Sequence, residues 1–273
     1  MLTHYVNDID HNKPTVILLH GFISDHTTFH LIIDNIYKQN INVITIDLPG
    51  HGKDHSTHDV TWDMAYISKE IVEIIDYYKL SNVYLHGYSM GGRVALSVAV
   101  EYPNKLNGLI LESASPGISN LNEKLNRIEL DNIRAEKIKS IGIEAFVDEW
   151  SKMPLFDSQL SLSDVEKNRI KQMRLSQSPE GLAKSLTDYG TGNQPSNWKA
   201  LHQLNIPTCI LVGEYDEKFI NIGQKMKQYI NNSEFHIVNR AGHTIHVEQP
   251  EKFDTIIIDF ILGGKLCQDN GKL

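Results

Sequence analysis

Six short runs rich in β-branched residues recur along the chain. They are TVILL (Thr15–Leu19), NVITID (Asn42–Asp47), NVYLHG (Asn82–Gly87), NGLILE (Asn107–Glu112), PTCILVG (Pro207–Gly213) and EFHIVN (Glu234–Asn239). Their apolar residues are adjacent rather than alternate, the pattern of strands covered on both faces. Helical patterns stand between them. TWDMAYISKEIVEIIDYY (Thr61–Tyr78) carries apolar residues at 64, 67, 71, 74, 75 and 78, which form one helix face, with Thr61 as the expected N-cap and Asp63 in the first turn. PEKFDTIIIDFI (Pro250–Ile261) opens with proline at an expected N1 position. This alternation predicts an α/β fold with a mostly parallel sheet flanked by helices.

The rhythm breaks between about Ile118 and Ala200, where helix-forming polar sequence holds no convincing strand. The expected organisation is therefore a core of residues 1–117 and 201–262 with a helical cap, 118–200, inserted between two strands. Such a cap would sit over the carboxyl edge of the sheet, where ligands of open α/β sheets bind. The glycine-rich polar tail, 263–273, is expected to be flexible.

Composition excludes several function classes. The formal charge of −8 argues against general binding to nucleic acid or anionic membranes, although a local arginine cluster could still hold a small anion. No apolar stretch approaches the roughly 18 residues of a membrane span. The start MLTHYVNDID has neither a basic region nor an apolar run, so no signal peptide is expected. Two cysteines, Cys209 and Cys267, lack metal-ligand spacing and predict no structural disulfide, which fits a reducing cytoplasm. No metal or organic cofactor is implied, and the chain is expected to be a monomer or a homodimer.

The chemistry centres on HGYSMGGRVAL. Gly87-Tyr88-Ser89-Met90-Gly91 fits G-x-S-x-G, following a predicted strand and preceding a predicted helix. Glycines at both ends let a sharp strand-to-helix turn pass close to its neighbours and expose the Ser89 hydroxyl. The Met90 amide at the helix N-terminus is a candidate oxyanion donor. A second is the Phe22 N–H, after His20-Gly21 at the end of an early strand; one such donor is typically worth on the order of 3 kcal/mol. His20 itself reads as a hydrogen-bonded loop residue. Among thirteen histidines the candidate base is His243 in NRAGHTIHVEQP, with His246 its competitor. Asp216 in LVGEYDEKF is the candidate carboxylate, with Glu214 and Glu217 as rivals. The order Ser89, Asp216, His243 favours this set. Arg93, four residues after the serine, is a guanidinium that must pair internally, for example with Glu112, or meet a ligand anion.

HGF, DLPGHGKD, GYSMGG, GEYDEKF and RAGH stand in an order that resembles the α/β-hydrolase superfamily over nearly the whole chain. GYSMGGRVAL, LESASPGI, NEKLNRIELDNIRAE, FVDEWSKMPLF and KQMRLSQSPEGL further resemble one branch, the 2-succinyl-6-hydroxy-2,4-cyclohexadiene-1-carboxylate synthases of menaquinone biosynthesis. The resemblance implies a base-initiated elimination of pyruvate from a small tricarboxylate. By motif position it implies that Arg93, Arg127 and Arg174 hold the carboxylates and that Tyr88 and Trp150 contact substrate. Arg134 and Arg169 lie close enough in sequence to be confused with Arg127 and Arg174. Rival expectations are a serine carboxylesterase or carbon–carbon bond hydrolase on the same three residues, and a non-catalytic receptor using the same pocket.

Overall fold

The computed structural model describes residues 1–6 and 8–263. Its sheet has seven strands: β1 (His4–Val6), β2 (Thr15–Leu19), β3 (Asn42–Ile46), β4 (Val83–Tyr88), β5 (Gly108–Glu112), β6 (Thr208–Gly213) and β7 (Ser233–Val238). Their order is β1-β3-β2-β4-β5-β6-β7. All neighbours are parallel except β1, which runs antiparallel to β3.

Nine α-helices accompany them among the described residues: α1 (Ile33–Lys38), α2 (Met64–Tyr77), α3 (Met90–Glu101), α4 (Leu121–Trp150), α5 (Asp164–Leu175), α6 (Pro179–Tyr189), α7 (Glu217–Tyr229), α8 (Ile245–Glu248) and α9 (Pro250–Leu262). The strands sort their side chains by alternation. Ile17, Leu19, Leu109 and Leu111 pack with α2, α3 and α7, whereas Val16, Leu18 and Ile110 pack with α1 and α9. Burial on both faces explains why these strands read as continuous apolar runs.

Two expectations are corrected, and one strand, β1, lies outside the sequence reading, because its three residues carry no period. The N-cap of α2 is Asp63, whose side chain accepts from the Tyr66 N–H, rather than Thr61. The run at β7 is not covered on both faces, since the strand ends the sheet and most of its residues are partly exposed. The tail expectation falls on residues of which only Gly263 is described; Cys267 lies outside the described residues.

Helices α4, α5 and α6 all arise between β5 and β6. Helix α4 is broken at Gly142, whose φ of 77° is not helical. A cluster of Ile23, Ala135, Ile138, Phe146, Val147 and Leu182 packs α4 and α6 onto the loop after β2. Polar ties reinforce it. The Tyr189 hydroxyl donates to the Pro49 carbonyl at 2.6 Å, and the Trp62 N–H donates to Asp188 at 2.8 Å. No described helix is long and apolar enough to cross a membrane.

The elbow between β4 and α3 is built on close approach. A Cβ on Gly91 would overlap the carbonyl oxygens of Leu19 and His20, and one on Gly87 would overlap the backbone at Gly91 and Gly92. Gly91→Ala must push backbone rather than a yielding side chain. Urea unfolding is expected to show a loss of about 1–3 kcal/mol, the range of overpacked sites.

Candidate active site

Ser89 occupies the single-residue turn between β4 and α3 with φ 52° and ψ −104°, a conformation that non-glycine residues adopt only under constraint. The constraint is visible. The Ser89 N–H donates to the Glu112 carbonyl on β5 at 2.8 Å, and the Gly91 N–H donates to the His20 carbonyl at 3.0 Å. The turn is thus held from both neighbouring strands.

Three of the residues singled out from sequence come together here. His243 Nε2 lies 2.9 Å from Ser89 Oγ, and His243 Nδ1 lies 2.6 Å from Asp216 Oδ2. Asp216 accepts from Nδ1–H, which leaves Nε2 free to accept from the serine hydroxyl. His243 and Asp216 are both buried, so this line of hydrogen bonds is shielded from water. The rivals stand elsewhere. Glu214 accepts from the Arg240 N–H, and His246 is buried against Glu112.

The loop bearing His243 is fastened by two carboxylates that the sequence did not single out for this role. Glu248 accepts from Gly242 N–H at 2.6 Å and Thr244 N–H at 3.1 Å, one on each side of His243. Glu112 accepts from the His246 N–H at 3.1 Å and faces His246 Nδ1 at 2.9 Å and His86 Nε2 at 3.0 Å. Burial opposes ionisation of Glu112, but the charge and hydrogen bonds of His246 and His86 outweigh it and hold its pKa at about 2. Burial pushes His86 down from its ordinary value.

A cavity of about 390 Å³ opens over Ser89 and is bounded by the core below and by α4 and α6 above. Phe22 and Met90 line it, and neither backbone N–H donates to another described residue. Both amides are therefore available to an oxyanion. Arg93 lines the cavity from α3. Its Nη1 donates to the Tyr189 carbonyl at 2.9 Å, and burial together with the nearby Arg127 pulls its pKa down to about 10. Pairing with Glu112 is ruled out as its partner, because that carboxylate is occupied by His86 and His246. Arg127 also lines the cavity and is held by Asp131, whose Oδ1 lies 2.8 Å from Nε.

Tyr88 lines the cavity with its hydroxyl 2.7 Å from Thr244 Oγ1. Trp150 lines it too, stacked on Phe146, and its Nε1 has no hydrogen-bond partner among the described residues. Arg174 is buried directly behind the cavity wall formed by Phe156. Its guanidinium lies over the Phe156 ring and donates to Ser151 and Gln159, outside the set of described residues that line the cavity. Two cations that were not assigned, Arg134 and Lys218, line it. Among the described residues only Cys209, Glu234 and His236 group donor types suited to a metal, and none of them lines the cavity.

Residues 14–250 match the alpha/beta hydrolase fold family. The chain belongs to that family. Within the fold several of its relatives are synthases of one branch. It is 39% identical over 250 residues to a putative 2-succinyl-6-hydroxy-2,4-cyclohexadiene-1-carboxylate synthase of Bacillus subtilis, covering 91% of this chain and 90% of that protein. It is 28% identical over 251 residues to the 2-succinyl-6-hydroxy-2,4-cyclohexadiene-1-carboxylate synthase of Photorhabdus laumondii, covering 92% and 86%. The solved structure of MenH from S. aureus superposes with a TM-score of 0.90 at 46% identity, over 96% of this chain and 98% of that one. A thermophilic esterase from Thermogutta terrifontis, solved with malate bound, gives a TM-score of 0.82 at 26% identity over 96% and 93%.

Glu112 links this geometry to stability. Its carboxyl is held near 2 against an ordinary value of 4.5, so its contribution is complete above about pH 4.5 and is lost as pH falls toward 2. Denaturant unfolding from pH 7 to pH 2 is expected to show that loss in the wild type. Glu112→Gln should be about 3 kcal/mol less stable at pH 7, with a shallower decline in acid.

Proposed function

We propose that this protein is a carbon–oxygen lyase of menaquinone biosynthesis acting in the cytoplasm. Its substrate is 2-succinyl-5-enolpyruvyl-6-hydroxy-3-cyclohexene-1-carboxylate. Elimination of pyruvate leaves 2-succinyl-6-hydroxy-2,4-cyclohexadiene-1-carboxylate. The observation that carries this reading is the meeting of an activated hydroxyl with buried cations in one cavity: Ser89, hydrogen-bonded to His243, shares it with Arg93 and Arg127. A pocket for an apolar ester gains nothing from desolvated guanidinium groups, whereas a tricarboxylate requires them. The named activity of the similar synthases supports the same reading.

In this mechanism Ser89 is the base. His243, oriented by Asp216, takes the hydroxyl proton as Ser89 Oγ removes a proton from ring carbon. The electron pair moves into conjugation with the succinyl carbonyl, and the resulting oxyanion faces the Phe22 and Met90 amides. Collapse of that dienolate forms the second ring double bond and breaks the C–O bond. The enolpyruvyl oxygen leaves with the bonding pair, recovers a proton from the His243 imidazolium, and ketonises to pyruvate. Well-placed base catalysis supplies roughly 10²–10⁴-fold. Arg93 and Arg127 therefore have to contribute through positioning.

The alternative is a carboxylesterase or carbon–carbon bond hydrolase on the same three residues, with Ser89 as nucleophile. The likeness to the thermophilic esterase favours giving it a test. Purified protein is incubated with the enolpyruvyl substrate while pyruvate and diene absorbance are followed, and separately with p-nitrophenyl esters. Stoichiometric pyruvate with slow ester turnover is the expected result; rapid ester hydrolysis without pyruvate would overturn the lyase reading. Ser89→Ala should lower kcat by about 10³-fold or more with the fold intact by circular dichroism. Arg93→Ala should lower kcat/KM for the tricarboxylate by about 100-fold.

A further inference from the structure

The substrate proposed above carries three carboxylates, and the family resemblance implies Arg93, Arg127 and Arg174 as their ligands. In the structure Arg174 donates to Ser151 Oγ at 2.9 Å and to Gln159 Oε1 at 3.3 Å and is stacked 4.7 Å from the Phe156 ring centroid, while two further cations line the cavity. Building on the lyase reading, we propose that Arg134 and Lys218 are substrate-carboxylate ligands in this cavity.

Arg134 projects from α4 into the cavity beside Arg127. Only one carboxylate serves both. Asp131 Oδ1 lies 2.8 Å from Arg127 Nε but 3.5 Å from Arg134 Nη1, and Asp131 Oδ2 accepts from the Gly192 N–H. Arg134 thus holds the outer edge of a carboxylate that is already engaged. Its guanidinium carbon sits 5.5 Å from the Trp150 ring centroid, which keeps the planar fork against the wall, next to the unpartnered Trp150 Nε1. These donors form a site that lacks only an acceptor.

Lys218 faces the same space from the first turn of α7. Its ammonium makes no hydrogen bond or ion pair with a described residue. It lies 5.4 Å from the Phe219 ring centroid, and that ring is 4.7 Å from the His243 ring. A charge there stands beside the proton-transfer line, where the substrate's reacting end must come. Burial and repulsion from Arg127 both lower the Lys218 pKa, and the same two causes act on Arg93 and Arg134. Four cations line the cavity, and Asp131 is the carboxylate bonded to their side chains. Such a cluster is costly until an anion enters it.

The test compares Arg134→Met and Lys218→Met with the charge-keeping Arg134→Lys and Lys218→Arg. Each methionine variant should raise KM for the cyclohexene tricarboxylate about tenfold with an unchanged melting curve, and each charge-keeping variant should recover part of that loss. KM within twofold of wild type in both methionine variants overturns the proposal. So does failure of the charge-keeping variants to recover anything, which would mean a packing role. If the wild type releases no pyruvate, the lyase reading fails instead. Calorimetric titration with succinate then decides the two cations: weaker binding in both methionine variants supports them as anion ligands, and unchanged binding or none in the wild type overturns the proposal.

Discussion

Glu112 ends β5 with both its carbonyl and its carboxylate committed to the site. The carbonyl receives the Ser89 N–H and fixes the elbow. The carboxylate receives the His246 backbone N–H and faces the imidazoles of His246 and His86, three residues past His243 and three residues before Ser89. A single buried residue therefore sets the spacing between the hydroxyl and the loop that carries His243. The arrangement suits a buried charge, because two imidazoles and a backbone N–H meet the carboxylate in a region closed to water. Glu248 completes the fastening by holding the amides on each side of His243.

How much of this was legible depends on the range of the interaction. The elbow could be read because its requirements are local: glycines where backbone meets backbone, and a serine between strand and helix. The parallel sheet could be read because burial on both faces removes polar residues from the strands. Strand β1 offered three residues and no period. The role of His246 was hidden because its carboxylate lies 134 positions away in sequence. The cap arginines sit between these extremes. Asp131 falls four residues after Arg127 and three before Arg134, so one carboxylate between two guanidinium groups on one helix face was within reach of helical spacing. Which arginine then faces the cavity depends on the break at Gly142 and on how α5 docks, and neither follows from local periodicity.

The partner chosen for Arg93 explains how a buried cation remains useful. A carboxylate would have fixed the guanidinium and also cancelled it. The Tyr189 carbonyl, on the last residue of α6, does only the first. A carbonyl at a helix C-terminus carries partial negative charge, enough to orient an N–H donor and too little to neutralise it. The positive field at the serine is therefore retained. Arg93 also lies in the first turn of α3, the helix whose leading amide is Met90, so the cation and that unpaired amide move together as parts of one rigid element.

The same bond ties the cap to the chemistry. Tyr189 gives its carbonyl to Arg93 and its hydroxyl proton to the Pro49 carbonyl, so one residue of α6 is tied to the core at two points. Gln177, between α5 and α6, adds bonds to Asp25 and to the Gly52 N–H. A cap attached through residues that also orient a site cation cannot lift without releasing that cation. Assembly of the cationic wall and closure over the serine are thus one structural event, because the contact that positions Arg93 is also a contact that holds α6 down.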